Sequence, residues 1–162
     1  MPIDHLIPRD DPIEAGESAP DFTLPDQDRN DWTLSEHAAA GDVVLCFYPM
    51  DFTGVCGTEN ACITSQFESW RDRGVQIVGI SCDSFACHKA WADQMGFKHT
   101  LLADMHREVC RAYGIYFPAL NVAGRGTVIV GRDADGTLRV KWSQARELKQ
   151  AMDLKQVLGE IG

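Results

Sequence analysis

No two of the six cysteines in this 162-residue sequence are spaced C-x-x-C. That absence excludes the common zinc ribbon and the vicinal dithiol of a C-x-x-C disulfide oxidoreductase. Long apolar runs are missing as well. None approaches the roughly 20 residues that a membrane-spanning helix needs. Met1 to Ala15 alternates charge and proline where a signal peptide would carry an apolar stretch. We therefore expect a cytoplasmic protein with no membrane partner, whose cysteines are not a disulfide framework. Low-complexity tracts and internal repeats are absent, and no segment gathers Lys and Arg with aromatics. With 24 acidic against 15 basic residues and a formal net charge of -9, the chain repels nucleic acid. Any field that attracts anions must be local to a site.

A hydrophobic fraction of 44% and a charged fraction of 24% describe a globular chain long enough for one core. Residues 1–16 read as an irregular arm and 17–162 as a single domain. Asp21 to Leu24 and Trp32 to Leu34 flank the turn Asp28-Arg29-Asn30-Asp31, a hairpin-like N-terminal unit. Alternation follows: a strand at Val43 to Tyr48, a helix at Gly54 to Asp72, a strand at Val75 to Cys82 and a helix at Phe85 to Met95. This predicts an α/β fold with a parallel pair covered by helices. Beyond Leu101-Leu102-Ala103 come a helical segment, Glu108 to Tyr113, and strands Thr127 to Arg132 and Leu138 to Trp142. The turn Asp133-Ala134-Asp135-Gly136 makes those two strands a hairpin. The apolar spacing of Leu148, Ala151, Met152, Leu154, Val157 and Leu158 predicts a last helix over about Ala145 to Leu158.

Cys56 stands where the first parallel strand gives way to a helix. Pro49 stops the strand's ladder, and the helix begins near Gly54 or Val55. A cysteine in a helix's first turn faces free backbone N–H groups and the positive end of the macrodipole, which favour thiolate over thiol. Thr53, three residues earlier, places a hydroxyl beside whatever approaches that sulfur. Open α/β sheets carry their sites at this carboxyl edge. Cys82, ending the next strand, belongs to the same edge.

Pro49, Thr53 and Cys56 fit P-x-x-x-T-x-x-C, and on these residues the chain resembles the peroxiredoxins of the AhpC/TSA superfamily. Ala19-Pro20-Asp21-Phe22-Thr23-Leu24 is similar to the family's opening segment, and Arg125-Gly126-Thr127-Val128-Ile129-Val130 to its late arginine-bearing strand. The resemblance runs from about residue 14 to 160. It implies a thioredoxin-like fold with a central mixed sheet flanked by helices, and thiolate attack by Cys56 on hydrogen peroxide or organic hydroperoxides without metal, haem or flavin. Thr53 would bond the peroxide oxygen, and the backbone N–H groups of Val55 and Cys56 would stabilise growing charge. Pro49 would shape the pocket, Arg125 would favour the thiolate and orient substrate, and Glu59 would support Arg125. A redox switch or thiol-dependent chaperone on the same fold is the rival reading.

The product of attack is a sulfenic acid that a second thiol must reduce. No cysteine follows Cys110, so a resolving cysteine in a C-terminal extension is not expected. Members resembling the bacterioferritin-comigratory (PrxQ) group often place it five residues after the reactive cysteine. Here Ala61 stands there, and Cys62 follows. Six residues of helix rise about 9 Å, whereas a disulfide needs Cα atoms within roughly 7 Å, so a bond from Cys62 to Cys56 requires the helix to unwind. Cys82 and Cys87 are rival partners at the same sheet edge. The remaining possibility is a one-cysteine cycle resembling the AhpE-like group, completed by thioredoxin, a glutaredoxin-like protein or a low-molecular-weight thiol. Both monomers and homodimers occur among similar proteins. Cys46 and Cys110 read as small core residues, and Cys82, Cys87, His88 and Cys110 match no standard metal spacing.

Overall fold

In the computed structural model, which describes residues 6–161, the chain runs β1 (Thr23–Pro25), β2 (Asp31–Thr33), α1 (Leu34–His37), β3 (Val43–Phe47), α2 (Gly54–Ser65), α3 (Phe67–Asp72), β4 (Gln76–Ser81), α4 (Phe85–Met95), β5 (Thr100–Ala103), α5 (Glu108–Ala112), β6 (Tyr116–Phe117), β7 (Val122–Ala123), β8 (Arg125–Arg132), β9 (Leu138–Arg146) and α6 (Leu154–Gly159). Five strands form one mixed sheet in the order β5-β4-β3-β8-β9. β3, β4 and β5 are parallel, whereas β8 pairs antiparallel with both β3 and β9. β3 lies in the middle with all of its residues buried, so its sequence is a continuous apolar run rather than an alternation. Among the described residues no helix is long and apolar enough to cross a membrane.

Alternation along the strands sorts their side chains onto two faces. Leu45, Phe47, Val78, Ile80, Val128 and Val130 enter one core together with Cys82, Cys110 and Tyr113. Val44, Cys46, Ile77 and Ile129 enter the other, against Ile63 of α2, Trp70 of α3 and Val157 of α6. Cys56 lies on the α2 side, packed with Tyr48, Trp91 and Leu101. Cys82 and Cys56 therefore share a sheet edge but belong to opposite faces.

Several element boundaries differ from those the sequence predicts. The helix expected over Gly54 to Asp72 is interrupted at Gln66 (φ -105°, ψ 12°), giving α2 and α3. Ser65 turns its hydroxyl back onto the Cys62 carbonyl at 2.8 Å, and the Trp70 indole N–H takes the Ile63 carbonyl at 3.3 Å. Acceptors needed to continue the helix are thus shared with side chains, while Trp70 reaches the core. The last helix starts at Leu154, and Ala145 and Arg146 end β9 instead. Asp153 caps that helix through its carboxylate, which accepts from the N–H groups of Lys155 and Gln156. The β6/β7 hairpin and α1 have no counterpart in the sequence reading.

Of the arm expected over 1–16, residues 1–5 lie outside the described residues. The remainder is tied down by backbone bonds from Arg9 to Arg111, Ile13 to Tyr113 and Gly16 to Val140. Gly114 (φ 69°) lets this segment approach, since a Cβ there would lie 2.0 Å from the Asp11 carbonyl oxygen.

Candidate active site

The loop from Pro49 to Thr53 delivers Cys56. Phe52 holds a left-handed conformation (φ 60°), rarely adopted by a bulky residue, while half exposed against Trp91. What fixes this strained turn is Asp51 beside it. Its carboxylate is buried and accepts from the Tyr48 hydroxyl at 2.7 Å, and its other oxygen is 2.6 Å from His88 Nδ1. The far nitrogen of His88 faces the Leu102 carbonyl at 3.0 Å, so it carries a proton there. The Asp51 N–H in turn donates to Asp83 Oδ2 at 3.0 Å. Burial first, and then Asp51, push the Tyr48 hydroxyl well above the usual tyrosine range.

Thr53 is the N-cap of α2 in extended conformation, but its hydroxyl makes no cap bond. It donates to the Met50 carbonyl at 2.8 Å. With that proton committed, the oxygen keeps lone pairs for an incoming O–H. Cys56 is the third residue of α2, at 1% exposure, within the turn whose N–H groups have no intrahelical acceptor. Asn60, one turn on, donates from Nδ2 to the Cys56 carbonyl at 2.9 Å. Its Oδ1 meets His99 Nε2 at 2.8 Å, and His99 Nδ1 meets the Thr64 hydroxyl at 2.7 Å. Burial lowers the His99 ring to about 3, so it is neutral, with its proton on Nε2. This chain of bonds staples the first turn of α2 to the start of β5.

Arg125, the first residue of β8, is 3% exposed and meets three groups. Nη2 reaches Cys56 Sγ at 3.3 Å, Nε donates to the Leu148 carbonyl at 2.9 Å, and Nη1 pairs with Glu59 Oε1. The other Glu59 oxygen accepts from Arg146 Nη2 at 3.0 Å and from the Met152 N–H at 2.7 Å. Arg146 also donates to Thr127 Oγ1 at 2.9 Å. One buried carboxylate between two guanidiniums leaves one positive charge uncompensated, and it lies against the Cys56 sulfur. Arg125 and the first turn of α2 thus both direct positive charge at the position of that sulfur. A pocket of about 190 Å³ beside Arg125 and Arg146 is lined by Ile115, Tyr116, Phe117 and Leu148.

The structure thus joins Cys56, Glu59 and Arg125 through the Arg125 guanidinium, places Thr53 at the N-cap of the same helix and Pro49 in the loop before it, and separates the other thiols from Cys56. Cys62 is exposed on the intact α2. Cys87 stands in the first turn of α4 beside Asp51 and Asp83. Burial first, and then those two carboxylates, push its thiol up to about 11. Cys82 pairs with Cys110 on the opposite face of the sheet, at 3.9 Å between sulfurs. Cys46 is buried, its thiol raised to about 12 first by burial and then by Glu59. The sequence reading did not find Asp51, Asn60, His99 or Arg146, and weighed His88 only as a metal ligand. Asn60 left a signal, a polar residue in helical register with buried Cys56 and Ile63. Arg146 left none, because the segment read as helix.

An α/β sheet that presents a thiol at a helix N-terminus, with a buried arginine on its sulfur, defines a thiol-based redox enzyme. The AhpC/TSA family matches residues 15–141. Alkyl hydroperoxide reductase E of Mycobacterium tuberculosis is 36% identical over 122 residues, 74% of this chain and 80% of that protein. A thioredoxin peroxidase of Echinococcus granulosus is 36% identical over 134 residues, covering 76% of this chain and 68% of that one. The reduced 2-Cys peroxiredoxin of Plasmodium vivax matches in structure with a TM-score of 0.78 at 28% identity, over 91% of this chain and 79% of that one. The chain belongs to the AhpC/TSA family. It is a peroxiredoxin with the thioredoxin-like fold, an oxidoreductase that reduces peroxide at the expense of thiols.

Proposed function

We propose that Cys56 is the peroxidatic thiolate, that it reduces hydrogen peroxide and organic hydroperoxides, and that an external thiol completes the cycle. The observation that carries this reading is the 3.3 Å contact between Arg125 Nη2 and Cys56 Sγ. The sulfur attacks one peroxide oxygen in line with the O–O bond; the other oxygen leaves with the bond's electrons and takes a proton from solvent. Thr53 Oγ1 accepts from the O–H of the incoming peroxide, which turns the oxygen under attack toward the sulfur. Arg125 and the first-turn amides of α2 stabilise charge moving onto oxygen. Pro49 and the strained Phe52 shield the Cys56 sulfenic acid.

The external thiol is favoured because α2 is continuous from Cys56 through Cys62, and Cys87 is held as a thiol by its surroundings. Cys62 can serve only after the first turns of α2 unwind. Names of relatives support the substrate and reductant classes: one acts on alkyl hydroperoxides, another is a thioredoxin peroxidase. Six free thiols suit a reducing, cytoplasmic setting.

The test is peroxide consumption with a dithiol or thioredoxin system, alongside mapping of the thiols after one equivalent of peroxide. We expect a Cys56 sulfenic acid that dimedone traps while Cys62 and Cys87 stay free, and loss in Cys56→Ser of the rapid turnover seen with one equivalent of peroxide. Turnover at the wild-type rate in Cys56→Ser would refute the assignment, and a Cys56–Cys62 or Cys56–Cys87 disulfide would refute the external thiol.

A further inference from the structure

Two thiols outside the active site lie in contact with each other. Cys82, just past the end of β4, and Cys110, on α5, have their sulfurs 3.9 Å apart in the core on the far side of the sheet from Cys56. Both are free thiols, and neither takes part in the peroxide chemistry derived above. We propose that Cys82 and Cys110 form a second redox centre, a dithiol that peroxide converts to an internal disulfide without the help of Cys56.

The two cysteines are not equivalent, and their differences set an order of events. Cys110 is fully buried, and its one thiol proton has two acceptors within reach, the Cys82 sulfur at 3.9 Å and the Arg107 carbonyl at 3.5 Å. Cys82 is 9% exposed, so a molecule as small as hydrogen peroxide reaches it first. Hydrogen bonding from Cys110 favours the charged form of Cys82 most, opposed by burial and by Asp104, and assisted by Arg107 and the Ala123 N–H. The same contact, with burial, pushes the Cys110 thiol up. Cys82 is therefore the nucleophile and Cys110 the partner that keeps its proton until the second step.

Each step balances. The Cys82 thiolate attacks one oxygen of hydrogen peroxide; the S–O bond forms, the O–O bond breaks, and hydroxide leaves and is protonated to water. Sulfur loses two electrons and the peroxide gains them. The Cys110 sulfur then attacks the Cys82 sulfenic acid; the S–S bond forms, the S–O bond breaks, and the departing hydroxyl takes the Cys110 proton and leaves as water. A disulfide requires the sulfurs to close to about 2 Å. The element that moves is α5, five residues long and held at its start by the Asp104 carboxylate, which accepts from the N–H groups of Val109 and Cys110.

Asp104 also gives the cluster a second possible chemistry. Its carboxylate and the two sulfurs lie within 4.8 Å of one another, close enough to hold a metal ion. Both of its oxygens are already occupied by backbone N–H groups, which favours the dithiol.

The experiment uses the full chain as wild type and as Cys56→Ser, treated with excess hydrogen peroxide, unfolded, alkylated without reductant and mapped by mass spectrometry. In both proteins we expect a Cys82–Cys110 linked peptide, two hydrogens lighter than the free pair, and about tenfold less alkylation of each thiol than before treatment. Reductant restores both. In Cys110→Ser, Cys82 should instead be trapped by dimedone. Full alkylation of both thiols after peroxide in Cys56→Ser would overturn the proposal, as would recovery of Cys82 bonded to any other cysteine. Stoichiometric zinc in the purified wild type, lost from Cys82→Ser, would overturn it in favour of a metal site. Because the pair is scored in Cys56→Ser, its failure leaves the assignment of Cys56 untouched, and failure of that assignment leaves the pair standing.

Discussion

Arg125 does with one guanidinium what no other side chain can. It spans Cys56 Sγ, Glu59 Oε1 and the Leu148 carbonyl from a fixed plane. Lysine keeps the charge but not the fork, so Arg125→Lys should show most of the loss seen in Arg125→Met. For Arg125→Met we expect the rate constant of the first oxidation, followed by stopped-flow fluorescence, to fall about 10²–10³-fold, as for loss of one preorganised donor. A fall under about threefold would remove Arg125 from the catalytic set. Cys87 allows a second test at this scale. Its thiol is raised from 9.0 to about 11, chiefly by burial and next by Asp51 and Asp83. At pH 8 the folded protein should therefore alkylate at Cys87 at no more than about one hundredth of the rate of the unfolded chain. Asp83→Asn, by removing one of the two charges, should raise the folded rate. Equal rates in folded and unfolded protein would mean that Cys87 is an ordinary exposed thiol and is open to the resolving role.

The loop between β3 and α2 is held from beneath, and Asp51 is the hold. Replacing Asp51 by alanine leaves the Tyr48 hydroxyl and His88 Nδ1 buried without their shared partner, a loss of about 1–3 kcal/mol for each unsatisfied group. Urea unfolding checks this. Asp51→Asn, which keeps an acceptor for Tyr48, should cost less, and an alanine variant within 1 kcal/mol of wild type would show that the loop is held otherwise. This layer is also where sequence reading ran out. β3, β4 and α4 were legible because the apolar runs of the strands and the alternation of strand and helix agree with tertiary structure. The strand-to-helix junction that carries Pro49, Thr53 and Cys56 was legible because it is local in sequence. Residues 145–153 were not. Their apolar spacing suits a helix, yet Arg146, the Leu148 carbonyl and the Met152 N–H are all directed to the Glu59–Arg125 pair. Partners 23 to 93 residues away in sequence took the groups that a helix would have used. Asp153 was the better boundary signal. The Asp51–His88 and Asn60–His99 contacts were missed for a related reason: their partners stand 37 and 39 residues apart, and nothing in local spacing announces them.

At the scale of the whole molecule the chain is acidic, with a formal net charge of -9, yet its site buries two arginines around one glutamate. His99, which ties down the helix that carries Cys56, shows where acid would loosen the fold. The ring joins α2 to β5 through Asn60 and Thr64, and burial lowers it from 6.5 to about 3. Above pH 6.5 folded and unfolded chains both hold it neutral, and its contribution to stability is complete. As pH falls from 6.5 toward 3, the unfolded chain binds a proton that the folded one refuses. Stability should then drop by about 1.4 kcal/mol per pH unit from this group alone. Below about 3 the folded ring protonates too, and the loss stops growing. Other groups titrate over the same range, so the informative quantity is the difference between wild type and His99→Gln. At pH 7 the wild type should be the more stable. Urea midpoints taken between pH 7 and 4 should show that advantage shrinking at about the stated rate. A difference independent of pH would mean that the ring takes up its proton in the folded state as readily as in the unfolded one. The proton arrangement assigned to Thr64, His99 and Asn60, and with it the staple on the first turn of α2, would then be wrong.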